Sequence, residues 1–423
     1  MRALSFYVGY FVLSPSAFCQ LLRTFFHKYF CFWNLLTSFL SIYFRQNSNF
    51  FENEIALVMK IPYILASAYI IAVGSVMASY NDGSSADKAF FQVKFLSWSK
   101  KFNKSYGTSE ERNHRMQIWL DNHAFIEKHN RQTPQPSYFL GHNQFSDLSH
   151  DEYLEFNKLK QYSSSFSDSI FVSDVQLLEP QVVRGKMIRG SAMLSDIPLS
   201  KNWVIDGAVT SVKNQKSCGS CWAFSAVGAI EGLAYLRSNK LVDLSVQEFV
   251  DCDRTDRGCF GGLMNNAFVY EEGIGGVCSW TDYPYFGRKH WLKGCEKHEC
   301  DVVPSSDISG FVNVTQSDEG LMEALSIQPV SVAVDAAAPD FRFYSSGVMD
   351  KEDCYEKLDH GVLAVGYGTQ GGKDYFLIKN SWGTTWGQDG YIMLARGEAF
   401  EPTGQCGLHL MSSRPVYNQT DLA

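Results

Sequence analysis

From Ala89 to Asn130 the apolar residues Phe91, Phe95, Trp98 and Phe102, then Ile118, Trp119, Phe125 and Ile126, recur at spacings of three, four and seven. That is the period of helices with one buried face, so the segment predicts two helices, broken near Ser105-Tyr106-Gly107. Thr133-Pro134-Gln135-Pro136 stops the second. Residues 160–195 lose the period; QYSSSFSDS and VVRGKMIRGS read as an exposed linker open to proteolytic nicking. A second region begins near Asp196. After Ser220, the run CWAFSAVGAIEGLAYLRSN puts Trp222, Ala226, Ile230 and Leu233 on one helix face, and Gly228 and Gly232 would admit a close neighbour. From about Ile308 the pattern becomes that of strands, in PVSVAVDA, GVLAVGYG, DYFLIKN and GYIMLA. Gln370-Gly371-Gly372 signals a hairpin turn. Helices followed by strands predict an α+β architecture.

Upstream, Met59-Lys60 precedes the apolar run IPYILASAYIIAVGSVMA, which ends in small residues at Val76-Met77-Ala78. This has the layout of a secretory signal, assigned to residues 59–78; a membrane anchor is the alternative, for which the run is at the lower limit of length. Residues 1–58, rich in Phe, Tyr and Leu, read as an extension upstream of a true start at Met59, or else as a second membrane-seeking segment.

The chain has 423 residues and a net charge of −8, with no run of Lys and Arg, which argues against nucleic acid as a partner. Of its 11 cysteines, two precede residue 32 and the other nine fall between Cys218 and Cys406. Nine is odd, so four disulfides would leave one free thiol. Asn103, Asn313 and Asn418 begin N-glycosylation sequons, which suit a secreted protein.

Cys218-Gly-Ser-Cys221-Trp222 carries the candidate chemistry. A zinc half-site would want a second pair of ligands at regular spacing, and none is clear. A redox pair would want a βαβ context, and no parallel sheet follows. A nucleophile fits better. Cys221 opens an apolar helix, where unpaired N–H groups and the positive dipole end favour thiolate over thiol. A thiolate nucleophile needs an imidazole partner. His360 enters an apolar strand, whereas most other histidines sit in polar stretches. If residues 361–368 and 374–380 pair antiparallel, Asn380 comes back beside His360 and its amide can orient the ring.

These residues resemble the papain-like cysteine proteases: Gln215 six before Cys221, Cys218-Gly-Ser-Cys221-Trp222, Asp359-His360-Gly361 and Asn380-Ser-Trp382. His360 and Asn380 lie 139 and 159 residues after Cys221, against about 130–150 for that signature; the second gap is attributed to a loop insertion such as Gln370–Lys373. Gly258-Cys-Phe-Gly-Gly-Leu-Met264 and Gly387-x2-Gly390-Tyr391 also match. Glu111-x3-Arg115-x2-Ile118-Trp119-x2-Asn122-x3-Ile126-x3-Asn130 resembles the family's inhibitory helix, with Trp119 for the usual Phe. Gly141-x-Asn143-x-Phe145-x-Asp147 resembles its second propeptide motif. The likeness covers roughly residues 89–412 and points to the cathepsin L-like branch.

The resemblance implies a two-lobed fold, with a helical left lobe, a β-barrel-like right lobe and a helical N-terminal propeptide. It implies a propeptide over 79–195, with its helical core at about 90–150, and a mature peptidase over 196–423, cut near Leu194–Ile197. Cys221 is then the nucleophile, His360 the acid–base and Asn380 its orienter. Gln215 and the Cys221 N–H bind the oxyanion, and Trp382 shields the His360–Asn380 bond. Gly261 and Gly262 pair with substrate backbone. Leu263, Met264, Ala333, Leu358 and Met411 form an apolar S2 subsite, for Leu, Val or Phe at P2. The implied disulfides are Cys218–Cys259, Cys252–Cys295 and Cys354–Cys406; Cys278 and Cys300 remain and are expected to pair. The expected partners are peptide and protein substrates, the chain's own propeptide and cystatin-like inhibitors, met by a monomer in the secretory pathway, in a lysosome or vacuole, or outside the cell. No metal or organic cofactor is implied.

Overall fold

The computed structural model describes residues 83–159, 197–290, 294–351, 354 and 356–417. The signal-peptide, upstream-extension and linker readings lie outside these residues. Two compact units divide the chain, Met1–Asp87 and Lys88–Ala423. Apart from residues 83–87, which open the first helix, the second contains everything that follows.

Helix α1 (Gly83–Lys101) and helix α2 (Ser109–Asn130) form where the apolar period predicted them. Thr108 caps α2 by accepting from the Glu111 N–H, and Glu111 returns the favour at the Gly107 N–H. Phe95, Trp98 and Trp119 are the buried centre where the two helices meet. The polar positions of α2 are tied elsewhere. Arg115 Nη1 donates to Glu152 Oε2 at 2.7 Å and to the Asp147 carbonyl. Asn122 donates to the Ser146 and Leu148 carbonyls, and Asn130 exchanges two bonds with the backbone of Leu140. Of these three side chains, Arg115 links helix to helix, reaching α3 (His150–Phe156); the amides hold the loop and strand between, with β1 at Tyr138–Leu140.

The second region opens with the short strand β2 (Lys201–Asn202) and the long helix α4 (Cys221–Ser238), followed by α5 (Val246–Cys252) and α6 (Met264–Ile274). After β3 (Gly310–Asn313), α7 (Asp318–Ile327), β4 (Val330–Val334) and α8 (Pro339–Phe343) come β5 (Tyr344–Met349), β6 (His360–Gln370), β7 (Lys373–Lys379), β8 (Tyr391–Ala395) and β9 (Ser412–Val416). The strands form one sheet in the order β1-β5-β8-β7-β6-β4-β9-β3, with β2 also on β6; only β5–β8 is parallel. The α+β class stands, and the lobe that the resemblance described as barrel-like is an open sheet. Its first strand, β1, belongs to the N-terminal region and extends the sheet at β5.

Gln370 pairs with Lys373 across Gly371 and Gly372, both at positive φ. This is a two-residue hairpin turn. Any extra length before Asn380 therefore goes into the paired strands, which run up to the two-residue turn.

Helix α4 is buried along most of its length and lies on β6 and on the chain entering β4. A Cβ on Gly228 would stand 2.8 Å from Leu363, and one on Gly232 would stand 2.7 Å from the Pro329 ring. The close approach read from these two glycines is thus present. Gly232→Val would drive a branched side chain into a rigid ring. It should lower stability by about 1–3 kcal/mol, read as a fall in the thermal midpoint of the Cys221→Ala proform; an unchanged midpoint would mean that α4 shifts without cost.

Candidate active site

Cys221 is the first residue of α4, and Ser220 before it is held by a 2.6 Å contact with the Tyr285 hydroxyl. Disulfides join Cys218 to Cys259, Cys252 to Cys295, Cys278 to Cys300 and Cys354 to Cys406. Cys221 is the free cysteine among the described residues, and it is buried. With Cys218 bonded to Cys259, a redox pair with Cys221 is excluded in this state.

His360 begins β6, and Asn380 follows the last residue of the antiparallel strand β7. His360 Nε2 lies 2.8 Å from Asn380 Oδ1. An amide oxygen only accepts, so Nε2 carries the proton and Nδ1 is left as the basic nitrogen. That nitrogen is buried and has no protein hydrogen-bond partner. The ring of Trp382 stacks on His360 at 4.6 Å between centroids. Gln215 is fully buried; its Nε2 donates to the Cys218 carbonyl, its Oε1 accepts from Ser381, and its backbone N–H donates to Ser381. The second amide N–H of Gln215 is not used by these contacts.

Electrostatics here differ from the thiolate expectation. Burial pushes the Cys221 thiol up to about 11, against smaller opposing hydrogen bonds that include the Gly361 backbone. Burial likewise pushes His360 down to about 4, against the Asn380 bond. In both groups desolvation is the largest cause, and it favours the neutral form.

What buries them is the N-terminal region. Phe145 and Tyr153 pack edge-on against Trp382, at 5.4 Å and 5.9 Å. Gln144 donates to the Trp382 carbonyl, and Tyr153 to the Ala336 carbonyl. Lys158, in a left-handed conformation, sits against Gly219 two residues before Cys221. Arg342 of α8, 2 % exposed, anchors this plug. Its guanidinium donates to the Phe145 and Leu148 carbonyls while its own carbonyl accepts from Asn143. Sequence reading missed Arg342; a lone cation in the apolar run DFRFY was the available signal.

Ala333 pairs with Gly361 across β4 and β6, and its N–H donates to the Met411 carbonyl. A Cβ on Gly361 would meet Met264 Sδ at 3.1 Å, and one on Gly407 would meet Leu358. Leu263 precedes Met264 as the residue before α6 and donates its N–H to Asp256. Gly261 takes a positive φ, and Gly262 is required by packing, since a Cβ there would stand 2.6 Å from both Trp222 and Asp256. Phe260, at 51 % exposure, stands on the surface beside them.

Residues 197–416 match the papain family cysteine protease domain, and residues 95–153 match the cathepsin propeptide inhibitor domain I29. The chain is 41 % identical over 324 residues to the cysteine protease XCP2 of Arabidopsis thaliana, covering 76 % of this chain and 85 % of that one. It is 40 % identical over 300 residues to the KDEL-tailed cysteine endopeptidase CEP2 of the same plant, covering 70 % and 78 %. Among solved structures it resembles the proform of the ragweed pollen allergen Amb a 11, a cysteine protease, at 35 % identity with a TM-score of 0.66 over 78 % of this chain and 95 % of that one. A recombinant stem bromelain precursor matches at 35 % identity and a TM-score of 0.66, over 78 % and 99 %. With its catalytic domain and its inhibitory domain both matched, the chain belongs to the papain family of cysteine proteases and is built as a proform.

Proposed function

We propose that this protein is a zymogen of a cysteine endopeptidase in which Cys221, His360 and Asn380 act together on peptide bonds. The observation that carries the reading is the 2.8 Å His360–Asn380 contact in the same buried site as the one free thiol among the described cysteines, at the start of a helix. Once the plug leaves, water enters and the desolvation that favours the neutral pair is relieved. His360 Nδ1 then takes the Cys221 proton, and the thiolate attacks the scissile carbonyl. The Cys221 N–H and the free Gln215 N–H stabilise the oxyanion. His360 passes its proton to the leaving amine, giving an acyl-enzyme that water hydrolyses. Trp382 keeps water from the His360–Asn380 bond.

Boundaries follow from this reading: a propeptide over 79–195 and a mature enzyme over 196–423. Kinship with a KDEL-tailed relative supports a secretory or vacuolar residence, and no helix among the described residues is long and apolar enough to cross a membrane. The opened cleft would receive protein substrates and cystatin-like inhibitors, and the enzyme would act as a monomer.

Turnover of a fluorogenic Phe-Arg or Leu-Arg dipeptide amide by acid-activated protein tests the nucleophile. Cys221→Ala should reduce it by about 10⁶-fold, to background; residual turnover near the wild-type rate would reject Cys221.

The apolar set Met264, Ala333, Leu358 and Met411 supports Leu, Val or Phe at P2. Met411→Glu would place a carboxylate in that set. It should raise kcat/KM for Arg at P2 by about tenfold or more, about 1.4 kcal/mol, and lower it for Leu. No change in the Arg/Leu ratio would remove Met411 from the subsite.

Two kinds of group make propeptide retention depend on pH. The Arg115 hydrogen bond holds Glu152 below the usual carboxylate range, so its stabilising charge is present at neutral pH and lost as pH falls through that lowered value. Burial pushes His142 down to about 3 and His123 down as well, so both stay neutral in the folded propeptide. The unfolded segment would bind protons below about pH 6.5, so His142 destabilises the fold increasingly from there down to about pH 3, and His123 acts in the same direction. Both effects act in the same direction. Processing should be faster at pH 4.5 than at pH 7.5, and His142→Leu should move the midpoint of processing to lower pH. Equal rates, or an unmoved midpoint, would exclude the histidine contribution.

A further inference from the structure

Away from the cleft, three side chains from separate elements converge. Asp318 lies in the first turn of α7, Glu401 follows the short turn Glu398–Phe400, and His409 follows the turn Gln405–Gly407. One ligand atom of each lies within 4.8 Å of the other two. The side chain of His409 is 1 % exposed.

His409 Nδ1 lies 3.2 Å from the Pro402 carbonyl. A carbonyl only accepts, so Nδ1 carries the ring proton. Nε2 then presents a lone pair, makes no well-formed hydrogen bond and lies 3.2 Å from Asp318 Oδ1. Two electron pairs face each other there unless a positive centre lies between them. Ligand atoms bound to one tetrahedral zinc at about 2.0–2.2 Å sit about 3.3–3.6 Å apart, so the His409–Asp318 separation suits two ligands of one ion, with the third ligand atom within 4.8 Å of both. The carboxylates are also held from behind. Asp318 Oδ2 accepts from the Gly397 N–H at 2.6 Å, and Glu401 Oε1 accepts from the Asp318 N–H at 2.6 Å. A carbonyl behind the imidazole and backbone donors behind the carboxylates are the outer contacts that orient ligands of a metal.

We propose that Asp318, Glu401 and His409 bind a divalent cation of the zinc class. One imidazole and two carboxylates neutralise its charge, and a water takes the fourth position. The ion would tie the start of α7 to the chain entering β9, two residues before Met411. This inference does not depend on the peptidase assignment.

The Cys221→Ala proform, stripped with chelator, would be titrated with Zn²⁺ by calorimetry; this variant removes the cleft thiol as a competing ligand. One equivalent should bind and raise the thermal midpoint, and Co²⁺ should give tetrahedral ligand-field absorption. His409→Gln should weaken binding by about tenfold or more. Glu401→Gln, altering a side chain that is 27 % exposed, should do the same and covers the case in which the His409 variant fails to fold. No saturable binding, or binding unchanged in Glu401→Gln, overturns the proposal, and Nε2 then holds a proton in an imidazolium–carboxylate pair with Asp318.

Discussion

The approach of helix α4 to strand β6 is the constraint on which the rest of this molecule depends. Gly228 and Gly232 let the helix lie nearer to the sheet than any side chain would allow, and Gly361 does the same from the strand side. Ser225 donates to the Val362 carbonyl at 2.6 Å, fixing the helix along the strand. A thiol at the head of the helix and an imidazole at the head of the strand are thereby brought into one buried site, although 139 residues separate them. The β6–β7 hairpin then returns Asn380 to the same end of the sheet. A two-residue turn sets its register as far as Gly366, a bulge at Val365 shifts it by one residue before Ala364, and a slip of one residue would point alternate side chains to the opposite face.

Inhibition uses the same geometry. The N-terminal region contributes a strand to the sheet at β5 and two aromatic rings to Trp382, the residue that covers His360. Its anchor is Arg342, whose charge is buried because backbone carbonyls of the plug accept its N–H groups. Burying the site also sets its protonation. Desolvation opposes charge on both Cys221 and His360, so the burial that blocks access also works against the reactive ion pair. The propeptide's own pH-sensitive groups, Glu152 with Arg115 and the stacked His123, His142 and Trp119, lie within this inhibitory region. On the proposed reading, acidification would loosen the plug and uncover the site together.

Sequence by itself determined much of this. The helical and strand periods located α1, α2, α4 and the strands β4, β6, β7 and β8, because those patterns reflect which faces must leave water. Short-range chemistry was legible too: the Gly-Gly turn, the small residues on α4, and a cysteine at a helix start. The resemblance supplied the remaining roles, since spaced motifs record contacts that no single stretch reveals. The tertiary structure decided what depends on distance and on shared burial. It left the sheet open and gave Gly262 a packing reason beside Trp222. It brought Arg342 under the propeptide, and it set Asp318, Glu401 and His409 face to face although their spacing matches no ligand pattern. It also buried Cys221, which raises its thiol pKa against the pull of the helix terminus. A helix terminus is a local feature readable from sequence, whereas the dielectric around it is set by every residue that the fold packs on top.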